Sequence, residues 1–309
     1  MQIHIAKHAG FCFGVKKAID IAREVAARNG EKTYVYGQLV HNEKVISDLE
    51  KEGIVFAEKI EEIPDNAVTV LRAHGEPGTT YTNLERKSIV KGKNLNDATC
   101  PLVKLVHNVA IKLKNSGYEV ILFGKPDHPE SIGTSYYLKG NDTFFIWHHE
   151  DYQKVLDHIK KNNFEKVAFI SQTTMSVDGY SKLINNINAN SGYKFVEIPL
   201  NMKNMDIRYG FVDTICMPTK QRQTDTEEIA RKSDIMIVIG GKNSSNTKEL
   251  AAKCKSLGVE TYFIQSEEQV KMEWFKGKQI VGVTAGASTP DEIIQNVVEM
   301  IKEFVEGKN

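Results

Sequence analysis

The sequence lacks any paired-cysteine knuckle. Its four cysteines, Cys12, Cys100, Cys216 and Cys254, lie far apart, so no CxxC exists and no disulfide framework is expected in a chain of 309 residues. Long apolar runs are also missing. The longest, such as Ile235 to Gly241, are far too short to span a bilayer, so no membrane segment is expected. The opening MQIHIAKHAG has no apolar core and no cleavage-site pattern, which excludes a secretory signal and leaves the cytoplasm as the expected location. Net charge is absent: 40 Lys and Arg face 40 Asp and Glu. No overall field therefore draws the chain to nucleic acid or to an anionic membrane, and neither is expected as a partner. No GxGxxG follows a strand, and no Pro/Ser-rich linker interrupts the chain.

What is present is an alternation of short strands and helical stripes. TYVYG (33–37), AVTVLRAHG (67–75), EVILFG (119–124), KVAFISQTT (166–174), IMIVIGG (235–241) and QIVGVTAGAS (279–288) read as strands ending in Gly- or hydroxyl-rich loops. Helical patterns lie between them, which predicts α/β layers with mainly parallel sheets. The elements fall into three similar units. In each, a cysteine opens a helix and a strand begins about 20 residues later. The units are placed at 14–98, 99–196 and 197–309, the last completed by residues 1–13. The segment 189–213 is the least regular and carries the connection into the third unit.

After Cys12, the residues Val15, Ala18, Ile19, Ala22, Val25 and Ala26 form one apolar face, and Gly30 stands where a C-terminal cap belongs. After Cys100, Pro101 suits the first turn and Leu102, Leu105, Val106, Val109 and Leu113 make the stripe. After Cys216 the pattern is more polar. Pro218 can start that helix, with Ile229 and Ala230 as its only firm apolar anchors.

An isolated cysteine is more often a small buried hydrophobe than a ligand. That reading suits Cys254, mid-helix and without a repeat counterpart. The other three share a position ahead of three helices. A helix N-terminus favours thiolate, the metal-binding form. Three such sulfurs around a common axis suit zinc or an iron–sulfur cluster, and three rather than four leave one iron open to substrate.

Ligands of α/β sheets bind beyond the C-terminal strand ends. Those tips carry His41, His74, His128, Glu130, Thr173, Ser244, Ser245, Asn246 and Ser288. Hydroxyl, amide and imidazole donors with glycine-exposed N–H groups suit phosphate oxygens. Each residue alone has a bland role as a cap or a solvated side chain. His4, His8, His107, His148, His149 and His158 read as structural or surface residues.

The order of GFCFGV, VHN, AHG, DATCP, HPE, SQTT, DTIC, NSSN and TAGAS, running from about residue 10 to 291, resembles the 4-hydroxy-3-methylbut-2-enyl diphosphate reductases. The resemblance implies three α/β domains in pseudo-threefold array around one central [4Fe-4S] cluster per chain, held by Cys12, Cys100 and Cys216. It implies reductive removal of the allylic hydroxyl of a small diphosphate, giving isopentenyl and dimethylallyl diphosphate, as the last step of the non-mevalonate isoprenoid route. Glu130 is implied as the proton donor, with a raised pKa. His41, His74, Ser244, Asn246 and Ser288 are implied to hold the diphosphate, and His128, Thr173 and Ser245 to complete the pocket. A ferredoxin or flavodoxin is the implied electron donor. Two stretches depart from the commonest form: MPTKQRQ after Cys216, and EPGTTY after AHG in place of valine-serine-proline. Some relatives carry a fused RNA-binding extension, which is not expected in a chain ending at Asn309. Two competing readings of the same cysteines are a non-catalytic iron–sulfur redox sensor and a zinc hydrolase with three Cys and one His as ligands.

Overall fold

The expected alternation is found in the computed structural model, which describes residues 1–30, 32–201 and 207–306. Strand β1 (Gln2–Ile5) leads to α1 (Phe13–Asn29). Ala18, Ile19 and Ala22 on α1 are buried, and Gly30 ends it at φ 66°, the left-handed cap that glycine adopts without strain. Next come β2 (Thr33–Tyr36), α2 (Glu43–Lys51), β3 (Ile54–Ala57), β4 (Thr69–Leu71), α3 (Gly78–Arg86) and β5 (Leu95–Asp97). The middle of the chain forms α4 (Pro101–Asn115), β6 (Glu119–Phe123), α5 (Pro129–Tyr136), β7 (Phe144–Ile146), α6 (Tyr152–Asn162), β8 (Val167–Ser171), α7 (Val177–Asn190), β9 (Val196–Glu197) and β10 (Tyr209–Phe211). The last part forms α8 (Met217–Ala230), β11 (Ile235–Ile239), α9 (Ser245–Ser256), β12 (Glu260–Ile264), β13 (Ile280–Ala285) and α10 (Asp291–Glu306).

Among the described residues these strands make three sheets, and every ladder in them is parallel. The orders are β3-β2-β4-β5, β7-β6-β8-β10-β9 and β12-β11-β13-β1. With the two-residue edge strand β9 set aside and β1 counted last in the third sheet, all three follow the order second-first-third-fourth. The third sheet takes its fourth strand from the N-terminus, with Gln2 to Ile5 in register with Ile280 to Val283. The second sheet adds β9 at its edge and so continues to Phe211, past position 196. Residues 202–206 of the irregular segment 189–213 lie outside the described residues.

By compactness the chain divides into two units. One is Met1–Asp20, Val40–Gly53 and Met217–Asn309, holding the third sheet and α2; the other is Ile21–Leu39 and Ile54–Cys216, holding the first and second sheets. The parallel sheets are buried as such sheets must be, since crossover helices cover their faces. β6, β8 and β11 are buried at every residue. One face of the second sheet packs Ile121, Phe123, Phe169, Leu183 and Ile187; the other packs Val106, Leu113, Leu122 and Ile170.

Helix α8 differs from the apolar anchoring read for it. It runs a full 14 residues and buries Ala230 as expected, but also Thr219, Arg222, Gln223 and Thr226, whereas Ile229 is only partly covered. The reason is hydrogen bonding. Thr226 and Thr284 share a hydroxyl bond of 2.8 Å and Arg222 reaches main-chain carbonyls, so polar side chains occupy the inner face with their partners supplied.

Core truncation gives a direct measure of this packing. Ile237→Ala empties a fully buried site in the third-sheet core. It is expected to lower unfolding free energy by about 2–5 kcal/mol in urea titration.

Candidate active site

Each of the three cysteines singled out by sequence stands just beyond the fourth strand of a sheet and just ahead of a helix. Cys12 follows β1 and precedes α1, Cys100 follows β5 and precedes α4, and Cys216 follows β10 and precedes α8. All three are half-buried. Each backbone N–H makes the same bond, to a carbonyl in the loop after the third strand of its sheet. Cys12 donates to Ala287 at 3.0 Å, Cys100 to Ala73 at 2.9 Å and Cys216 to Thr173 at 3.1 Å. Those loops carry Ser288, His74 and Thr173, residues expected at the anion site. The sulfur of Cys12 also accepts the N–H of Val15 in the first turn of α1, at 3.4 Å. Cys254 is different: it is fully buried in the core between α9 and the sheet, and burial pushes its thiol up to about 12. That agrees with its reading as a packing residue.

In the second unit, Glu130 is held by two residues. Oε1 accepts the Thr173 N–H at 2.6 Å, and Oε2 bonds the Thr173 hydroxyl at 2.8 Å. The carboxyl is 2% exposed. Burial pushes its pKa up to about 7, although the two Thr173 bonds pull it down. One residue before it, Pro129 starts α5; two before it, His128 caps that helix, with Nδ1 accepting the Glu130 N–H at 3.2 Å. A neutral His128 therefore carries its proton on Nε2. The His74 ring stands edge-on to His128 with centroids 5.6 Å apart. Thr173, Glu130, His128 and His74 are thus brought together.

In the first unit, His41, Ser244, Ser245, Asn246 and Ser288 gather at the strand tips of the third sheet. The Ser288 hydroxyl donates to the His41 carbonyl at 3.0 Å. Gly241 backs onto the same carbonyl, where any Cβ would collide with it. Ser244 caps α9 by accepting the Thr247 N–H at 3.2 Å, which leaves its own proton to give. Asn246 is 3% exposed, and both ends of its amide are buried without a hydrogen-bond partner; the Ser245 hydroxyl is in the same condition. Each such orphan costs about 1–3 kcal/mol. The Ser245 hydroxyl and the Asn246 amide N–H are donors at a helix N-terminus, groups whose chemistry suits an anion.

Two further residues escaped the sequence reading. Gln172, 1% exposed, accepts from the Lys125 N–H at 3.2 Å and the Ser131 hydroxyl at 3.3 Å, and donates to Thr174 at 2.8 Å. It ties the 124–125 loop and α5 to the strand that presents Thr173. Its place inside SQTT was the available signal. The second is Glu76, the residue at the departure after AHG. It is 2% exposed, paired with Arg72 at 2.5 Å and bonded by Thr80 at 3.2 Å. That buried pair anchors the His74 loop where the commonest form has an apolar residue. The other histidines are structural or surface as read. His107 is buried against Tyr137 and burial lowers its pKa to about 4, so it stays neutral. His158 sits between Phe144 and Phe164 and bonds Glu119.

Residues 3–302 match the family described as LytB protein. A 4-hydroxy-3-methylbut-2-enyl diphosphate reductase of Sulfurovum sp. (strain NBC37-1) is 38% identical over 304 residues, covering 98% of this chain and 99% of its own. One of Aquifex aeolicus (strain VF5) is 37% identical over 310 residues, covering 100% and 98%. The solved structure of the E-1-hydroxy-2-methyl-but-2-enyl-4-diphosphate reductase from Plasmodium falciparum aligns with a TM-score of 0.82 at 28% identity, over 97% of this chain and 87% of that one. Among the described residues no helix is long and apolar enough to cross a membrane.

The Glu130 environment has a measurable consequence. Its ordinary pKa is 4.5 and its folded value about 7, so the folded chain keeps a proton that the unfolded chain gives up across that window. The stabilisation is complete below about pH 4.5 and is lost as pH rises through 7. Glu130→Gln holds the neutral form at every pH. Relative to it, the wild type is expected to lose up to about 3 kcal/mol between pH 5 and 8 in urea titrations.

Proposed function

This chain belongs to the LytB protein family, and we propose that it is a 4-hydroxy-3-methylbut-2-enyl diphosphate reductase that removes the substrate's allylic hydroxyl as water, consuming two electrons and two protons and giving isopentenyl and dimethylallyl diphosphate. One observation carries the reading. Thr173 grips the Glu130 carboxyl with its N–H and hydroxyl, and with its carbonyl it grips the N–H of Cys216. A proton donor poised near neutrality and a sulfur ligand are thereby referenced to one residue.

The cysteines present fit a three-cysteine cluster. Cys12, Cys100 and Cys216 occupy equivalent places at strand tips and helix starts, while Cys254 is withdrawn into the core. When bound to those three, a [4Fe-4S] cluster, one per chain, supplies the electrons and an open iron position for the substrate oxygen. A ferredoxin or flavodoxin is the proposed source of those electrons.

The remaining work falls to the chain. Both oxygens of Glu130 accept from Thr173, Oε1 from its N–H and Oε2 from its hydroxyl, and the transferable proton sits on a remaining lone pair of the carboxyl. As that proton passes to the leaving oxygen, the Thr173 N–H and hydroxyl, which already donate to Oε1 and Oε2, hold the new carboxylate. His128, with Nε2 protonated, donates beside it. The diphosphate oxygens accept hydrogen bonds from Ser244, Ser245 and Asn246 at the start of α9, and from His41 and His74. Ser288 acts by fixing the His41 loop. Binding the remote diphosphate orients the reacting carbon.

Two measurements test this. Anaerobically reconstituted protein should absorb near about 400 nm from thiolate-to-iron charge transfer. It should also reduce the allylic diphosphate with dithionite as donor. An absorbing protein without turnover would favour a redox sensor. Glu130→Gln is expected to keep the absorbance and KM but to lower kcat by about 10²–10⁴-fold; near-normal turnover would remove Glu130 from the mechanism. Thr173→Val deletes a bond that pulls the Glu130 pKa down. Its kcat should therefore fall off at a higher pH than the wild type, which declines above about 7.

A further inference from the structure

Helix α8 does more than follow Cys216. Its Arg222 is 3% exposed, and the guanidinium works as a fork. Nη2 donates to the Gly10 carbonyl at 2.7 Å and Nη1 to the Pro218 carbonyl at 2.9 Å. Gly10 lies two residues before Cys12, and Pro218 two residues after Cys216. Three residues on, Asp225 Oδ2 accepts both the backbone N–H of His8 at 2.8 Å and its ring Nδ1 at 2.7 Å. From the other side, α10 closes on the same loop. Gly10 has φ 94°, and a Cβ there would meet the Asp291 carboxylate at 2.7 Å. With Cys12 N–H on Ala287, residues 8–12 are held at three successive main-chain groups.

We propose that Arg222 is a positioning residue: its guanidinium fork fixes the loop that carries Cys12 to the first turn of the helix that Cys216 opens, and so sets how these sulfurs are presented before iron arrives. A buried guanidinium is costly and persists only where its donors are met. Here two of its donors are met by carbonyls in the immediate surroundings of two cysteines. Only a planar fork serves two carbonyls at once; an ammonium on a flexible stem does not reproduce it. Pro218, which departs from the commonest form, is compatible with this role because the fork uses its carbonyl and needs no N–H from it. The consequence for iron rests on the three-cysteine reading above, but the clamp itself does not.

The test uses the full chain as wild type, Arg222→Lys, Arg222→Met and Thr226→Val. Thr226 lies on the same helix and bonds Thr284, so Thr226→Val loosens α8 without touching the fork. Iodoacetamide labelling of each cysteine is followed by mass spectrometry in the iron-free chain, and iron per chain is measured after anaerobic reconstitution. Losing charge-assisted bonds should raise the Cys12 labelling rate about tenfold in both Arg222 variants. Iron uptake should fall in both, while Cys254 labelling stays unchanged. Thr226→Val should lower Tm and leave Cys12 labelling as it was. If Arg222→Met fails to fold, Arg222→Lys, which keeps the charge, decides alone. Unchanged Cys12 labelling in the folded Arg222 variants overturns the proposal, as does an equal rise in Thr226→Val. A wild type that takes up no iron while Cys12 labelling still follows Arg222 supports the clamp and removes the cluster reading.

Discussion

One backbone hydrogen bond, made three times, organises this molecule. At the end of each sheet's fourth strand the chain turns, and a cysteine N–H closes onto the loop after the third strand. The bond is short-range in space but joins distant sequence: Cys12 to Ala287, Cys100 to Ala73, Cys216 to Thr173. It orders two things at once. The helix that follows the cysteine gets a fixed starting point, and the loop that accepts the bond gets a fixed shape for its own site residue. Each cysteine is thereby placed through its main chain, whatever its sulfur contacts.

The polar interior obeys the same economy. Buried polar groups in α8 and around Gln172 are matched within the chain and act as scaffolding. Those of Ser245 and Asn246 at the start of α9 are not matched within the chain, and their desolvation is a cost the fold carries there. Glu130 lies between these cases. Thr173 satisfies both its oxygens, yet burial still outweighs those bonds and keeps a proton available near neutral pH. That balance of a raising and a lowering influence is what makes a carboxyl useful as an acid at pH 7.

Much of the fold was legible because it is apolar and periodic. The stripes of α1 and α4, the caps at Gly30 and Pro101, and the long strands β6, β8 and β11 follow directly from residue type. Strands β5, β7, β9 and β10 were not, since two or three residues carry no period. β1 escaped because its Gln2 and His4 face solvent at a sheet edge. The polar inner face of α8 was illegible in principle: a buried Arg222 looks like any exposed arginine until its carbonyl partners are placed. The structure gives Cys12, Cys100 and Cys216 equivalent backbone bonds and withdraws Cys254 into the core, the same division that the sequence suggested. The sequence assigned each to the helix it precedes, whereas its backbone bond belongs to the sheet it has just left.

The third sheet is sewn shut by the first strand of the chain, and this has a consequence for synthesis. β1 emerges from the ribosome first, but β13, its only ladder partner among the described strands, ends at Ala285. At ordinary elongation rates of about 5–20 residues per second, β1 waits roughly 15–55 s for that partner. During that interval Cys12 has no Ala287 to hold it, while the first and second sheets already have all their strands. The third sheet is therefore completed only when the two ends of the chain meet. The Cys12–Ala287 bond is thus one of the last of the fold to form.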